Sequence, residues 1–147
     1  MVSPEHVFSI ANAVAAVSWL LLAVVPRRRW VTGIVTAKVV PALFALLYIG
    51  LIVSTFGRAD GGFSTLAGVA ALFTNQWLLL AGWVHYLAFD LVIGTWEVRD
   101  AQERGIPHAL VVPCLFVTFM FGPAGWLLYQ ALRWALGVRR AAATTTV

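Results

Sequence analysis

A chain of 147 residues that is 61% hydrophobic and only 11% charged, with a mean hydropathy of +0.88, is too apolar for an ordinary soluble domain. Its net charge of +4 rests on nine arginines and one lysine spread over loop positions; there is no basic stripe or recognition motif of the kind a nucleic-acid surface needs, so nucleic acid is excluded as a partner. These bounds predict an all-α fold in one integral membrane domain over residues 1–140, with membrane lipid as its surroundings, and a disordered tail over 141–147.

The first apolar run, Val7 to Val25, has the length a crossing helix requires. Ser3-Pro4-Glu5 before it reads as a helix start: a cap, a proline at the first position, then an acid. Asn12 within the run is expected to bond a neighbouring helix, and Pro26-Arg27-Arg28-Arg29-Trp30 ends it. MVSPEHVFSI lacks the basic n-region of a signal peptide, so no signal or transit segment is expected before it. A second span is expected within Val31 to Phe56, with Pro41 in an early turn and Lys38 snorkelling to the surface.

Gly57 to Gly62 is the strongest loop signal in the chain. Ser64–Phe73 then places Leu66, Val69, Leu72 and Phe73 at helical spacing, with Ser64 or Thr65 as cap. It is too short to cross and is predicted to be an interfacial helix. The third span is Gln76 to about Trp96, and the fourth lies within His108 to Leu136, broken at Gly122-Pro123-Ala124-Gly125. The prediction is therefore a four-helix transmembrane bundle with a short interfacial helix between the second and third spans. The break is expected to bend the fourth helix toward the third near Asp90. Cys114, the single cysteine, reads as an apolar packing residue. With Arg27, Arg28, Arg29, Lys38, Arg99 and Arg104 on one side and Arg58, Arg133, Arg139 and Arg140 on the other, the basic count places both termini outside and the loop after Glu97 in the cytoplasm.

Ionisable chemistry concentrates in the third span. An aspartate at membrane depth is costly, so Asp90, with His85 nearby, marks the first place to seek a site. Trp83, Asp90 and Glu97 are seven apart and share a face, and Gly94 beside Asp90 permits close approach. His85, Val92, Trp96 and Arg99 lie mostly on another face. His85, Asp90 and His108 are the candidate acid–base groups. A metal reading adds Glu97 and Asp100 as ligand types, yet their spacing matches no compact ligand motif. The alternative is that Asp90 and His85 tie helices together.

GWVHYLAFDLVIGTWEVRDAQERGIPH followed by FGPAGWLLY, preceded by LAGVAALF and an early PRRRW, resembles the membrane-protein family named for abscisic-acid deficiency in plants. The resemblance runs from the first span to about Arg133 and rests on W-x-H-x4-D, the later histidine and G-P-x-G together. It implies a four-helix membrane protein. For plant members it implies conversion of violaxanthin to neoxanthin, in which a carotenoid epoxide becomes an allenic alcohol. That isomerisation has no net redox change, so no cofactor is expected: an acid protonates the epoxide oxygen while a base takes a vinylic proton. The arginine-, alanine- and glycine-rich usage points to a bacterial inner membrane. Two functions follow as expectations, an intramembrane isomerase of a carotenoid or related isoprenoid and a non-catalytic binder or accessory protein for such a lipid. A metal-dependent membrane enzyme stands beside them, and a homo-oligomer is compatible with all three.

Overall fold

The structure, a computed structural model, describes residues 3–55, 57 and 59–145, with side chains described as far as 137. The expected disordered tail, 141–147, therefore has no described side chain, and 146–147 lie outside the described residues. Every regular element among the described residues is helical: α1 (Pro4–Val24), α2 (Val31–Thr55), α3 (Leu66–Leu72), α4 (Gln76–Glu103), α5 (His108–Phe121) and α6 (Pro123–Thr145). Three of these, α1, α2 and α4, are long and apolar enough to cross a membrane.

The ends follow their local chemistry. Ser3 caps α1 by accepting from the His6 backbone N–H, and Pro4 occupies the first turn. Thr65 caps α3 through the Gly68 N–H, and Asn75 caps α4 through Trp77 and Leu78. The first nine residues of α2 form a widened π-helical stretch that the sequence pattern did not announce. Thr36 donates back to the Val31 carbonyl there at 3.0 Å, and Pro41, which has no N–H to give, lies just beyond.

The fold is built around α4, which packs against α1, α2, α5 and α6. Its inner faces bury Leu80, Ala81, Val84, Leu87, Leu91 and Val98. Two cross-links define one end of the molecule: Gln102 donates to the Pro26 carbonyl at 2.7 Å, and the His108 imidazole bonds the Ala23 carbonyl at 2.9 Å. The first loop and the α4–α5 loop thus sit together, as expected. At the opposite end the starts of α1 and α4 meet around Phe8, Leu80 and Trp83.

The expected fourth span is not one crossing helix. It is a helical hairpin, α5 rising beside α4 and α6 returning, with its apex at Gly122. Thr118 meets Glu97, Gly122 meets Asp90, and Tyr129 and Arg133 are back at Asp100. Thr118 and Tyr129 would be about 16 Å apart along a straight helix, whereas Glu97 and Asp100 are separated by only about 4.5 Å. A chain reversal reconciles the two. Gly122 makes it with φ = 45°, a conformation that disfavours any side chain, and Gly125 then lies directly on the Thr118 backbone, where a Cβ would overlap it. The Gly-Pro signal predicts a bend; two glycines and a proline within four residues produce a full turn instead.

Close approach recurs at Gly94, whose missing side chain admits the Trp19 indole. Gly94→Leu is expected to destabilise the protein by about 1–3 kcal/mol through overpacking. Gly50→Ala, at a position with open space around it, is the matched control and should leave the melting temperature in detergent almost unchanged.

Candidate functional site

Heptad spacing on α4 aims Asp90 and Glu97 at the hairpin, about 10 Å apart along the helix. Asp90 is 9% exposed and Glu97 is fully buried. Halfway along a 28-residue helix, Asp90 abuts the hairpin apex so closely that a Cβ on Gly122 would stand 2.9 Å from its Oδ1. It opens onto a cavity of about 230 Å³ lined by Asp90, Ile93, Gly122, Pro123 and Trp126. Its Oδ2 is buried without a hydrogen-bond partner, an arrangement costly for any polar atom and more so for a carboxylate.

Tyr86, one turn before Asp90, interacts with its carboxylate and donates its hydroxyl to the Phe119 carbonyl at 3.0 Å. That carbonyl lies in the last turn of α5, where the chain reversal leaves groups without helical partners. Two turns further along α4, Thr118 donates to Glu97 Oε1 at 2.9 Å, while Oε2 has no partner. At the rim Asp100 accepts from Tyr129 at 2.7 Å and pairs with Arg104 at 2.9 Å and Arg133 at 3.1 Å. Arg133 also stacks over Trp96, whose ring meets Tyr129 edge-on. This latch fastens α6 to α4. Asp90, Glu97 and Asp100 thus descend one helix face, each answered by a different part of the hairpin.

The expected acid–base trio is not assembled. His85 lies on the outer face of α4, exposed, between the rings of Tyr48 and Phe89 at 5.5 and 4.7 Å. His108 sits at the molecular end, half-buried, with its Nε2–H donated to the Ala23 carbonyl. Neither meets Asp90, and the correction has a simple geometric cause. Five residues offset His85 from Asp90 by about 140° around the helix, and His108 starts the hairpin arm whose far end reaches Asp90. The metal candidates are equally divided: Asp100 is already paired with two arginines, and Glu97 turns inward. Among the described residues no group of three or more His, Cys, Asp or Glu is gathered that would hold a metal ion. Lys38 is exposed, in keeping with snorkelling. Asn12 does bond across helices, accepting from the Trp83 indole at 3.1 Å.

Tyr86, Thr118 and Tyr129 were not singled out from sequence. Tyr86 was recoverable, because it shares the Trp83–Asp90 face at helical spacing; Thr118 and Tyr129 depend on the chain reversal.

A lateral groove of about 320 Å³ lies between the starts of α1 and α4, lined by Glu5, Phe8, Gln76, Leu79, Leu80 and Trp83. Phe8 packs on Trp83 at 5.7 Å, and Trp83 on Tyr86 at 5.3 Å. An aromatic strip thus leads from the groove toward Asp90.

Comparison with protein families matches residues 6–129 to the family described as ABA DEFICIENT 4-like. No curated protein and no solved structure matches the chain. The match covers most of the sequence, including every residue of the Asp90–Glu97–Asp100 line and the hairpin apex, and the chain belongs to this family.

The buried carboxylate gives a direct stability test. Thr118→Val removes the donor to Glu97 and is expected to cost about 1–3 kcal/mol, because a buried acceptor is left unanswered. Adding Glu97→Leu, which removes the acceptor too, should recover much of the loss. Melting of the two single variants and the double variant checks the coupling.

Proposed function

We propose that this member of the ABA DEFICIENT 4-like family is an intramembrane acid–base isomerase of a carotenoid or related isoprenoid epoxide, with Asp90 as the proton-exchanging group. The observation that carries the reading is the unpartnered, buried Asp90 oxygen at a cavity in the hairpin apex. A carboxylate so placed is expensive to maintain and is available to take a proton. In the proposed reaction Asp90 accepts the vinylic proton. The epoxide C–O bond breaks as its oxygen gains a proton, for which the candidate donor is the Tyr86 hydroxyl, one turn away on the same face, turning from the Phe119 carbonyl to the substrate. One proton leaves carbon and one reaches oxygen, so the product is an isomer and no electron carrier is needed. The groove at Phe8 and Trp83 and the strip running to Tyr86 suit a long apolar substrate lying along α4. The same groove supports the second reading, a binder that holds such a lipid without converting it.

The membrane arrangement belongs to the same proposal. The helices α1, α2 and α4 cross, α5–α6 is a re-entrant hairpin reaching mid-depth, and α3 lies at the interface with Phe63, Leu66 and Phe73 exposed toward lipid. A re-entrant backbone at that depth is tolerated because α4 and α1 cover it. The reversal moves Arg133 to the end that holds Arg27, Arg28, Arg29, Arg99 and Arg104, and residues 139 and 140 follow it along α6. That end is assigned to the cytoplasm, so the N-terminus is outside and the C-terminus inside.

Asp90→Asn tests the chemistry. Asparagine keeps the size and hydrogen-bonding capacity but cannot take the proton. Conversion of a carotenoid epoxide by the purified protein is expected to fall by about 100-fold or more, with the melting temperature nearly unchanged. Collapse of stability, with normal turnover in the folded remainder, would make Asp90 a structural tie. Pigment retained by both forms and converted by neither would establish the binder.

A further inference from the structure

The largest cavity described lies away from Asp90, at the end assigned to the cytoplasm. It has a volume of about 610 Å³ and is formed by the first loop and the α4–α5 loop, with Arg27, Arg29, Gln102, Pro107 and His108 on its walls. Unlike the groove at the opposite end, it is framed by cations. The arginines of this end fall into two sets. Arg104 and Arg133 are paired with Asp100. Arg27, Arg28, Arg29 and Arg99 form no ion pair among the described residues, and of these only Arg27 and Arg29 line the cavity.

Other groups at the wall bring no opposing negative charge. The His108 Nε2–H is committed to the Ala23 carbonyl, which fixes the ring at the cavity edge. The helix α5 starts beside it without a side-chain cap, so the positive end of that helix is unanswered by any protein acid. The acids at this end face elsewhere: Asp100 serves the latch, Glu97 is buried against Thr118, and Glu103 is not on the cavity wall. Exposed apolar residues lie close in sequence to the lining residues, Val24 at the end of α1, Trp30 on the first loop and Leu110 in the first turn of α5, as suits acyl chains continuing from a headgroup.

We infer that this cavity is a binding site for the phosphate of an anionic phospholipid in the cytoplasmic leaflet, held by Arg27 and Arg29. Paired guanidinium groups provide charge and fork geometry for a phosphodiester, and the location is where the anionic leaflet supplies one. The headgroup lies between the α1–α2 loop and the start of α5, where, among the described residues, the hydrogen bonds across run from Gln102 of α4 to Pro26 and from His108 of α5 to Ala23 of α1. The site therefore braces the base of the hairpin whose apex meets Asp90. It rests on the orientation proposed above only for the leaflet named, not for the binding itself.

The test is lipid retention by the full chain in mixed phosphatidylglycerol–phosphatidylcholine nanodiscs, read by mass spectrometry of co-purified lipid, with inorganic phosphate as competitor. The unsubstituted protein is expected to enrich phosphatidylglycerol. At about fivefold per arginine, Arg27→Gln with Arg29→Gln should reduce the enrichment by about 25-fold. Arg28→Gln, which removes the same charge from a residue off the cavity wall, should change it by much less. Equal retention of both lipids by the unsubstituted protein, or equal losses in Arg28→Gln and the double variant, would overturn the site. Displacement of the lipid by millimolar inorganic phosphate would overturn the lipid assignment and leave a soluble phosphate as the ligand. Because lipid retention is measured without turnover, failure here is distinguishable from failure of the isomerase reading.

Discussion

A carboxylate halfway along a membrane-length helix must be met by protein, and the way this chain meets Asp90 governs the rest of its architecture. Gly122, with no side chain and a positive φ, brings the apex of the α5–α6 hairpin against the Asp90 oxygens. Once the apex is there, the two arms have set partners. The rising arm presents Thr118 to Glu97, and the returning arm presents Tyr129 and Arg133 to Asp100. Each acid on this face of α4 is thereby matched to one level of the hairpin, and register errors along α4 would leave at least one of them facing apolar side chains.

The arrangement grades polarity along α4. Near the end of α4 Asp100 is held by two cations and a hydroxyl. One turn back Glu97 has one hydroxyl donor and one unanswered oxygen, and at the middle of α4 Asp90 faces a small cavity with one unanswered oxygen of its own. The rim is thus fully paired, while the apex keeps an unpaired polar atom beside open space. Aromatic packing separates the levels laterally: Trp19 fills the space above Gly94 and packs on Phe119, keeping α1 and the tip of α5 close to α4.

Much of this was legible in the sequence, for reasons that can be named. Asp90, Glu97 and Gly94 fall on the buried side of α4 because a seven-residue spacing fixes a helix face without tertiary information. The caps at Ser3 and Thr65 and the cross-helix role of Asn12 follow from local chemistry. The break at Gly122 was visible, but its amplitude was not: a Gly-Pro pair permits both a kink and a reversal, and the choice depends on Gly125 seating against Thr118. The same ambiguity set the basic-residue count astray, since a straight fourth helix would carry Arg133 to the far end while the hairpin returns it to Asp100. His85 and His108 drew notice for their chemistry alone; neighbouring rings and a backbone carbonyl account for their surroundings.

The reversal at Gly122 is what the Asp90 site and the proposed orientation of the C-terminus both depend on. Its most direct test is cysteine accessibility in sealed vesicles of one orientation, in a Cys114→Ala background because that thiol is buried. Single cysteines replace Gly57, beyond the end of α2, exposed Glu103 at the end of α4, and Gly137 in α6, where a side chain has open space. The hairpin predicts that a membrane-impermeant maleimide labels positions 103 and 137 from the same face and position 57 from the other. Labelling of 137 together with 57, and opposite to 103, would mean that the fourth apolar stretch crosses the membrane and would contradict the account.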